Sequence, residues 1–322
     1  MKPNSPANWL LLTALVAGCA TPLPYPTSAD LAFALMGDTP YNNTEVRALD
    51  ALIDDMNVQD LAFVVHVGDI TSGRGPCTDE WFEARQRQYQ RLRHPLILLP
   101  GDNDWVDCHR SGFDPMERLD KMRRLFHSGD ESIGQRTIRL ERQSSNSRFA
   151  EYREHVRWIA ADVVFIGLNV QGSNNNLGRT PAMDEEHRRR MVAVLAWLDE
   201  SMTLAAQRRL AGAVIAVQAN PDFEARYRRR AGVGDGFEAF REALRAHALR
   251  FGKPILFVHG DTHWYQQDRP LDDPATGKPI ANFIRVEVPG SPQVRWLKAG
   301  ISRERSGVFA VTPAPPATAP PY

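Results

Sequence analysis

The chain has 322 residues, and its 39 basic and 39 acidic side chains cancel. Neutrality excludes the basic footprint of a nucleic-acid binder. The apolar share of 43% is that of an ordinary globular protein, and the length fits one large α/β domain or two small ones.

The first residues read as an export signal. Lys2 precedes the apolar run Trp9–Val16, which is too short to span a bilayer, and small residues lead on to Cys19. Val16-Ala17-Gly18-Cys19 resembles the bacterial lipobox, which implies cleavage before Cys19 and a lipid on its thiol. The alternative is an ordinary leader with an incidental Cys. By resemblance to lipoprotein sorting rules, Ala20 in place of Asp implies the periplasmic face of the outer membrane. Residues 1–18 are therefore leader and 19–29 a Pro-rich tether.

Four short apolar runs then stop at Gly-Asp. Leu31–Met36 leads to Gly37-Asp38, and Leu61–Val67 leads to Gly68-Asp69. Pro95–Pro100 leads to Gly101-Asp102, and Pro254–His259 leads to Gly260-Asp261. Runs of this length read as buried strands of a parallel sheet. Ligands of open α/β sheets bind outside the carboxyl ends of strands, so the four Asp mark one site. Alternatively, each Asp caps a following helix.

Helices are expected at about Thr44–Met56, Asp79–Leu92, Pro115–Phe126, Met183–Leu204 and Phe237–Phe251. Arg148–Asp162, Val163–Asn169 and Gly212–Val217 read as further strands, the last stopping at Gln218-Ala219-Asn220-Pro221. Ser128–Ser147 reads as an excursion over the corners or as partly disordered, and Gly172–Gly178 as a flexible loop. Arg188–Arg190 reads as a solvated helix face. After His263 no long helix intervenes, so Asn282–Val288, Gln293–Lys298 and Gly307–Val311 are expected to be antiparallel. The expectation is one domain over 30–312, an α/β fold of two packed mixed sheets flanked by helices. The Pro- and Ala-rich tail from Pro313 is expected to be disordered.

Cys77 and Cys108 each lie a few residues beyond a Gly-Asp corner. Export to an oxidising compartment favours pairing them.

Electrostatics argue that the corners hold cations. Carboxylates about 6 Å apart repel by roughly 3 kcal/mol per pair at an effective dielectric near 20. Four charges make six pairs, and the sum exceeds the ~5–15 kcal/mol stability of a typical domain. Two divalent ions would cancel the four charges.

The ordered corners resemble the calcineurin-like metallophosphoesterase family, from about Leu31 to Tyr265. The matching stretches are Asp38-Thr39-Pro40, Gly68-Asp69, Gly101-Asp102-Asn103-Asp104, Gln218-Ala219-Asn220-Pro221 and Gly260-Asp261-Thr262-His263. The resemblance implies a four-layer αββα sandwich and two metal ions bridged by Asp69. Asp38 and His263 would complete one ion; Asp102, Gln218 and Asp261 would complete the other. Several of these positions replace a family nitrogen ligand by oxygen, and Pro40 replaces a His outright. Oxygen-rich sites suit Mn²⁺ or Mg²⁺, with Fe or Ca²⁺ as alternatives. Asn103 stands where the family has a phosphate-contacting His, and an amide carries no transferable proton. His109, on the same loop, is the candidate replacement. His66, inside a strand, reads as structural, and so does His259. Asn220 and Trp264 either face the site or simply turn and pack.

The implied activity is hydrolysis of a small phosphate mono- or diester by metal-activated hydroxide, at a membrane reached through the lipid on Cys19. The rival is a non-catalytic envelope lipoprotein that binds metal or a phosphate-bearing ligand. The loops Thr71–Trp81, Trp105–Ser147 and Gln171–Pro181 would select the substrate.

Overall fold

In the computed structural model residues 31–226, 232–302 and 308–314 are described. The leader, Cys19, the tether and the tail beyond Ala314 lie outside the described residues. The four expected strands form as β1 (Leu31–Met36), β2 (Val64–His66), β3 (Leu96–Leu98) and, later in the chain, Ile255–His259. Between them lie the helices α1 (Asn43–Asn57), α2 (Asp79–Tyr89) and α3 (Pro115–Phe126). Side-chain caps set their starts. Asn42 accepts from the Thr44 and Glu45 N–H groups, Thr78 from Trp81, and Asp114 from Glu117.

Next come β4 (Glu141–Arg142), β5 (Val156–Ala160), β6 (Val163–Gly167) and the long helix α4 (Pro181–Gln207). The chain continues through β7 (Gly212–Ala216), α5 (Glu238–Phe251) and β8 (Ile255–His259). It closes with β9 (Gln266–Asp268), the hairpin β10 (Asp272–Asp273) and β11 (Lys278–Pro279), β12 (Phe283–Glu287), β13 (Leu297–Ile301) and β14 (Phe309–Pro313).

Two mixed sheets result, in the orders β14-β13-β1-β2-β3 and β4-β5-β6-β7-β8-β12-β9. Period-two alternation divides each strand between two layers. Phe33 and Leu35 meet Phe165, Val214 and Leu256 in the core between the sheets. Ala34 and Met36 face the other way, onto Leu49, Ile53 and Phe82 of α1 and α2. Val164 and Ile166 pack on Val194, Leu198 and Leu244 of α4 and α5. The layers are therefore helix, sheet, sheet, helix, as expected.

Several local expectations need correction. β12 runs parallel to β8, and only its other neighbour, β9, is antiparallel. Its chain returns across the sheet before pairing, which absence of a helix did not reveal. Pro313 belongs to β14, paired with Leu297 on the edge of its sheet, where a missing N–H is tolerated. The Ser128–Ser147 segment does not cover the corners. Ile133 bridges to Leu96 at the start of β3, and Ile138 and Leu140 line a cavity of about 610 Å³ with Leu31, Ala62 and Phe63. That cavity lies at the amino ends of β1 and β2, opposite the corners. Of the three arginines at 188–190, Arg190 is fully buried, so the solvated-face reading fails there.

Cys77 and Cys108 form a disulfide across a sequence separation of 31, joining the loop after β2 to the turn after β3. Closing a loop of that size contributes about 3–4 kcal/mol in the chain-entropy model. Alkylation of the unreduced folded protein should leave both thiols unmodified, and Cys77→Ser with Cys108→Ser should lower unfolding stability by about 3 kcal/mol. Labelling of either Cys without reductant would refute the pairing.

Candidate metal centre

The strand ends turn sharply. Asp38, Asp69, Asp261 and His263 hold φ values of 51°, 60°, 82° and 67°, in the left-handed region. Non-glycine residues rarely sit there, and such strain gathers at functional sites. The turns fold the carboxylates back over the sheet edges, where they staple one corner to the next. Asp38 accepts the Asp261 N–H at 3.0 Å, linking the two sheets. Asp69 accepts the Asn103 N–H at 3.0 Å. Asp261 accepts the Asn220 N–H at 3.0 Å, and Asp102 accepts the Ser173 hydroxyl at 2.8 Å. Asp104 anchors the group from below, accepting from Asp69, Ile70 and Gly101 N–H groups at 2.8–2.9 Å.

Asp38, Asp69, Asp102 and Asp261 thus converge as the sequence implies. Burial pushes all four above the ordinary carboxylate range, and repulsion from neighbouring carboxylates adds to this at Asp38, Asp69 and Asp261. Among the described residues, no Lys or Arg hydrogen-bonds to any of the four. No three His, Cys, Asp or Glu side chains among the described residues stand in a ready coordination shell either. Their oxygens are turned onto N–H groups and hydroxyls. The donor set nonetheless fits a hard cation, because it is oxygen-rich, buried and short of positive charge.

His263 joins this group. Its Nδ1 lies 2.8 Å from the Ser291 carbonyl, and its Nε2 lies 3.9 Å from Asp38 Oδ1. Gln218 is fully buried among the acids but is turned differently from the expectation. Its Oε1 accepts the Gly172 N–H at 2.7 Å, while its Nε2 donates to Asp69 Oδ2 at 3.1 Å. An N–H neighbour on one side and a carboxylate on the other fix that orientation, so Gln218 is a donor to Asp69 and its oxygen is engaged by the Gly172 N–H. Asn103 is also in the cluster, with its Nδ2 donating to the Tyr41 hydroxyl at 3.0 Å. His109 is not. It is exposed, beside Val106 and Arg179. His66 is buried against Tyr89 and the Gly68 N–H, in the structural place expected. His259 is buried beneath the last corner, with Nδ1 against the Gly260 carbonyl.

Three site residues escaped the sequence reading. The Tyr41 hydroxyl lies 3.1 Å from both Asp69 Oδ2 and His263 Nε2. One phenol proton cannot serve both acceptors. Tyr41 is held there because Glu45, in the first turn of α1, accepts the Tyr41 N–H at 2.8 Å. The other two are Gly172 and Ser173, in the segment expected to be flexible. Ser173, Asn174, Asn175 and Asn176 have φ values of 50°, 53°, 54° and 67°, a left-handed turn. Asn tolerates this conformation best among side-chain-bearing residues. Buried Arg190 fixes the turn through the Asn175 side chain at 2.6 Å and backbone carbonyl at 3.0 Å. The run of Asn was the available signal.

Among solved structures the chain is similar to a dimetal phosphatase from Danio rerio, with a TM-score of 0.56 and 14% identity, over 89% of this chain and 96% of that one. It is also similar to PhoD, with a TM-score of 0.50 and 14% identity, over 83% of this chain and 58% of that one. Identities this low show a shared fold, and the fold is the metallophosphoesterase-like sandwich. No protein-family model and no curated protein matches the chain.

Two outcomes follow from this geometry. A Cβ on Gly172 would lie 2.6 Å from Asp261 Oδ1 and 2.8 Å from Asp102 Oδ2. Gly172→Ala should therefore displace two carboxylates and destabilise the protein by about 1–3 kcal/mol, read from chemical denaturation; an unchanged midpoint would refute the convergence. The second concerns pH. Acids raised in the folded state impose no penalty below their ordinary value of 3.8, where both states are protonated. The penalty grows as pH rises toward the folded values, which are about 7 for the neighbouring Asp104 and Asp107. Relative to Asp69→Asn, chelator-treated protein should lose stability as pH rises from about 4 to 7. Melting curves showing the opposite slope would refute the buried cluster.

Proposed function

We propose that this protein is a metal-dependent phosphoesterase that hydrolyses a phosphate mono- or diester. One observation carries the reading: four buried carboxylates from both sheets meet at the strand ends without a cationic side chain bonded to them. Two divalent ions bound there, Mn²⁺ or Mg²⁺, would polarise a phosphoryl oxygen and activate water. Asp38, Asp69, Asp102, Asp261 and His263 would hold them. Gln218 steadies Asp69 through its amide N–H. Asn103 orients the Tyr41 hydroxyl, which carries a proton into the centre of the cluster. Tethering through a lipid on Cys19 belongs to the same proposal and would confine the activity to a membrane surface.

A second reading, metal or phosphate binding without turnover, is favoured by Asn103. Its amide is engaged with Tyr41 and holds no transferable proton. General acid assistance contributes ~10²–10⁴-fold, so its absence slows hydrolysis without abolishing it.

The full-length protein, stripped with chelator, is assayed on aryl phosphate mono- and diesters while Mn²⁺, Mg²⁺, Ca²⁺, Fe²⁺ and Zn²⁺ are returned singly. Metal-restored turnover, reduced roughly 10²-fold in Asp69→Asn, is the expected result. Metal-dependent stabilisation without turnover would favour the binding reading. No response to any metal would overturn both and leave the corners as structural staples.

A further inference from the structure

Ser173 leads away from the carboxylate cluster. Its hydroxyl lies 2.8 Å from Asp102 Oδ2 and 3.0 Å from Asp107 Oδ1, and its single proton goes to one of them, so one side chain sits between the cluster and a neighbouring cavity. That cavity has a volume of about 300 Å³, and its lining includes Asp107, His109, Arg110, Ser173 and Arg179. Two guanidinium groups enter it from separate segments. Arg110 comes from the turn anchored by the Cys108 disulfide, and pairs with Asp107 at 2.6 Å. Arg179 comes from the stretch between the left-handed turn and α4. It donates to the Val106 carbonyl at 2.7 Å and the Asn176 side-chain oxygen at 3.2 Å, and it also meets His109. The first two partners are neutral oxygens. The pocket therefore holds two guanidinium groups beside the Asp107 carboxylate, with Asp102 behind Ser173.

The chemistry suits a phosphate. A guanidinium offers planar, paired N–H donors matched to phosphate oxygens, and neutral partners hold it without cancelling its charge. Arg110 also reaches toward the cluster. Gly73 lacks a Cβ where one would lie 2.9 Å from Asn103 Oδ1 and 3.0 Å from Arg110 Nη1, so the Asn103 and Arg110 side chains approach each other there. Asn103 belongs to the cluster and Arg110 to the pocket.

We propose that this pocket is a subsite for a second phosphate group, so that the preferred substrates are phosphate esters carrying two phosphates. The inference rests on the phosphoesterase reading for its substrate, but the anion site stands on its own residues. Arg179 is the discriminating group, and His109 acts here as a wall of the subsite rather than at the reacting centre.

Two measurements test it on the full-length protein. In the first, chelator-treated protein is titrated with inorganic phosphate in a calorimeter, so that no metal contributes. Arg179→Gln should weaken binding by about tenfold or more, the size expected for a lost charge-assisted hydrogen bond, with partial recovery in Arg179→Lys. Melting curves verify that both variants fold. In the second, the metal-loaded protein is given fructose 1,6-bisphosphate and fructose 1-phosphate. The wild type should favour the bisphosphate in kcat/KM, mainly through KM, and Arg179→Gln should bring the ratio towards one. Phosphate binding that is absent, or equal in wild type and Arg179→Gln, would overturn the subsite. So would a bisphosphate preference that survives the substitution. Arg179-dependent phosphate binding without hydrolysis of either sugar would uphold the subsite and count against the phosphoesterase reading.

Discussion

Burying like charges at the ends of parallel strands is the constraint on which this structure depends. The sheets deliver Asp38, Asp69, Asp102 and Asp261 to one place, and the core between the sheets keeps them there. Without cations the carboxylates find partial relief in backbone N–H groups of neighbouring corners. That relief has a structural consequence. Each hydrogen bond ties one loop to the next, and the Asp38 bond to the Asp261 N–H crosses from one sheet to the other. The left-handed φ values at three of the four Asp are the conformational cost of aiming the side chains inward. Cation binding would convert mutual repulsion into attraction and would couple folding to ion binding through the same oxygens.

The left-handed turn at Ser173–Asn176 extends this logic to the loop above the site. A run of left-handed residues is unfavourable by roughly 1–2 kcal/mol each for ordinary side chains. It persists because partners over-determine it. Arg190, buried and paired with Glu186, holds Asn175, while Asn176 donates to Glu186 at 2.7 Å. The Gly236 N–H and carbonyl meet Asn174 and Asn175. Removing the charge of Arg190 would leave those acceptors unsatisfied in a dry environment, which is costlier than losing the bonds themselves. The turn in turn places Ser173 against Asp102 and the Gly172 N–H against Gln218. A polar segment is thus held in an irregular conformation by the side chains bonded to it.

Much of the fold was legible because strand ends announce themselves. Apolar runs halted by Gly-Asp located β1, β2, β3 and β8, and apolar residues at helical spacing located the helices within a few residues. The carboxylates of the centre followed from the same punctuation. What escaped depended on three-dimensional neighbours. Tyr41 resembles any residue after a turn until its ring is seen beside His263, at a centroid separation of 5.3 Å. Gln218 carries both an amide oxygen and N–H donors, so its identity could not say which would face Asp69. The Gly172 N–H decides it. Arg190 sits in a triplet of identical residues, and only helical phase against the asparagine turn separates it from Arg188 and Arg189. The Ser128–Ser147 segment is polar wherever it lies, so composition gave no preference between the two ends of the sandwich.

The absence of an imidazole at Asn103 is best understood with Tyr41 in view. A His at that position would bring a ring nitrogen into the space where Asn103 Nδ2 now meets the phenol. With Asn, the short amide instead holds the hydroxyl between Asp69 and His263. Burial and the surrounding carboxylates push the Tyr41 phenol well above its ordinary range, which keeps the proton on oxygen at neutral pH. The cluster therefore keeps at this place a hydrogen-bond donor whose proton is held at neutral pH. Such a donor can orient an oxygen of a bound ester, but it yields its proton less readily than an imidazolium. On the phosphoesterase reading, such a site would orient the ester more than it would protonate the leaving group.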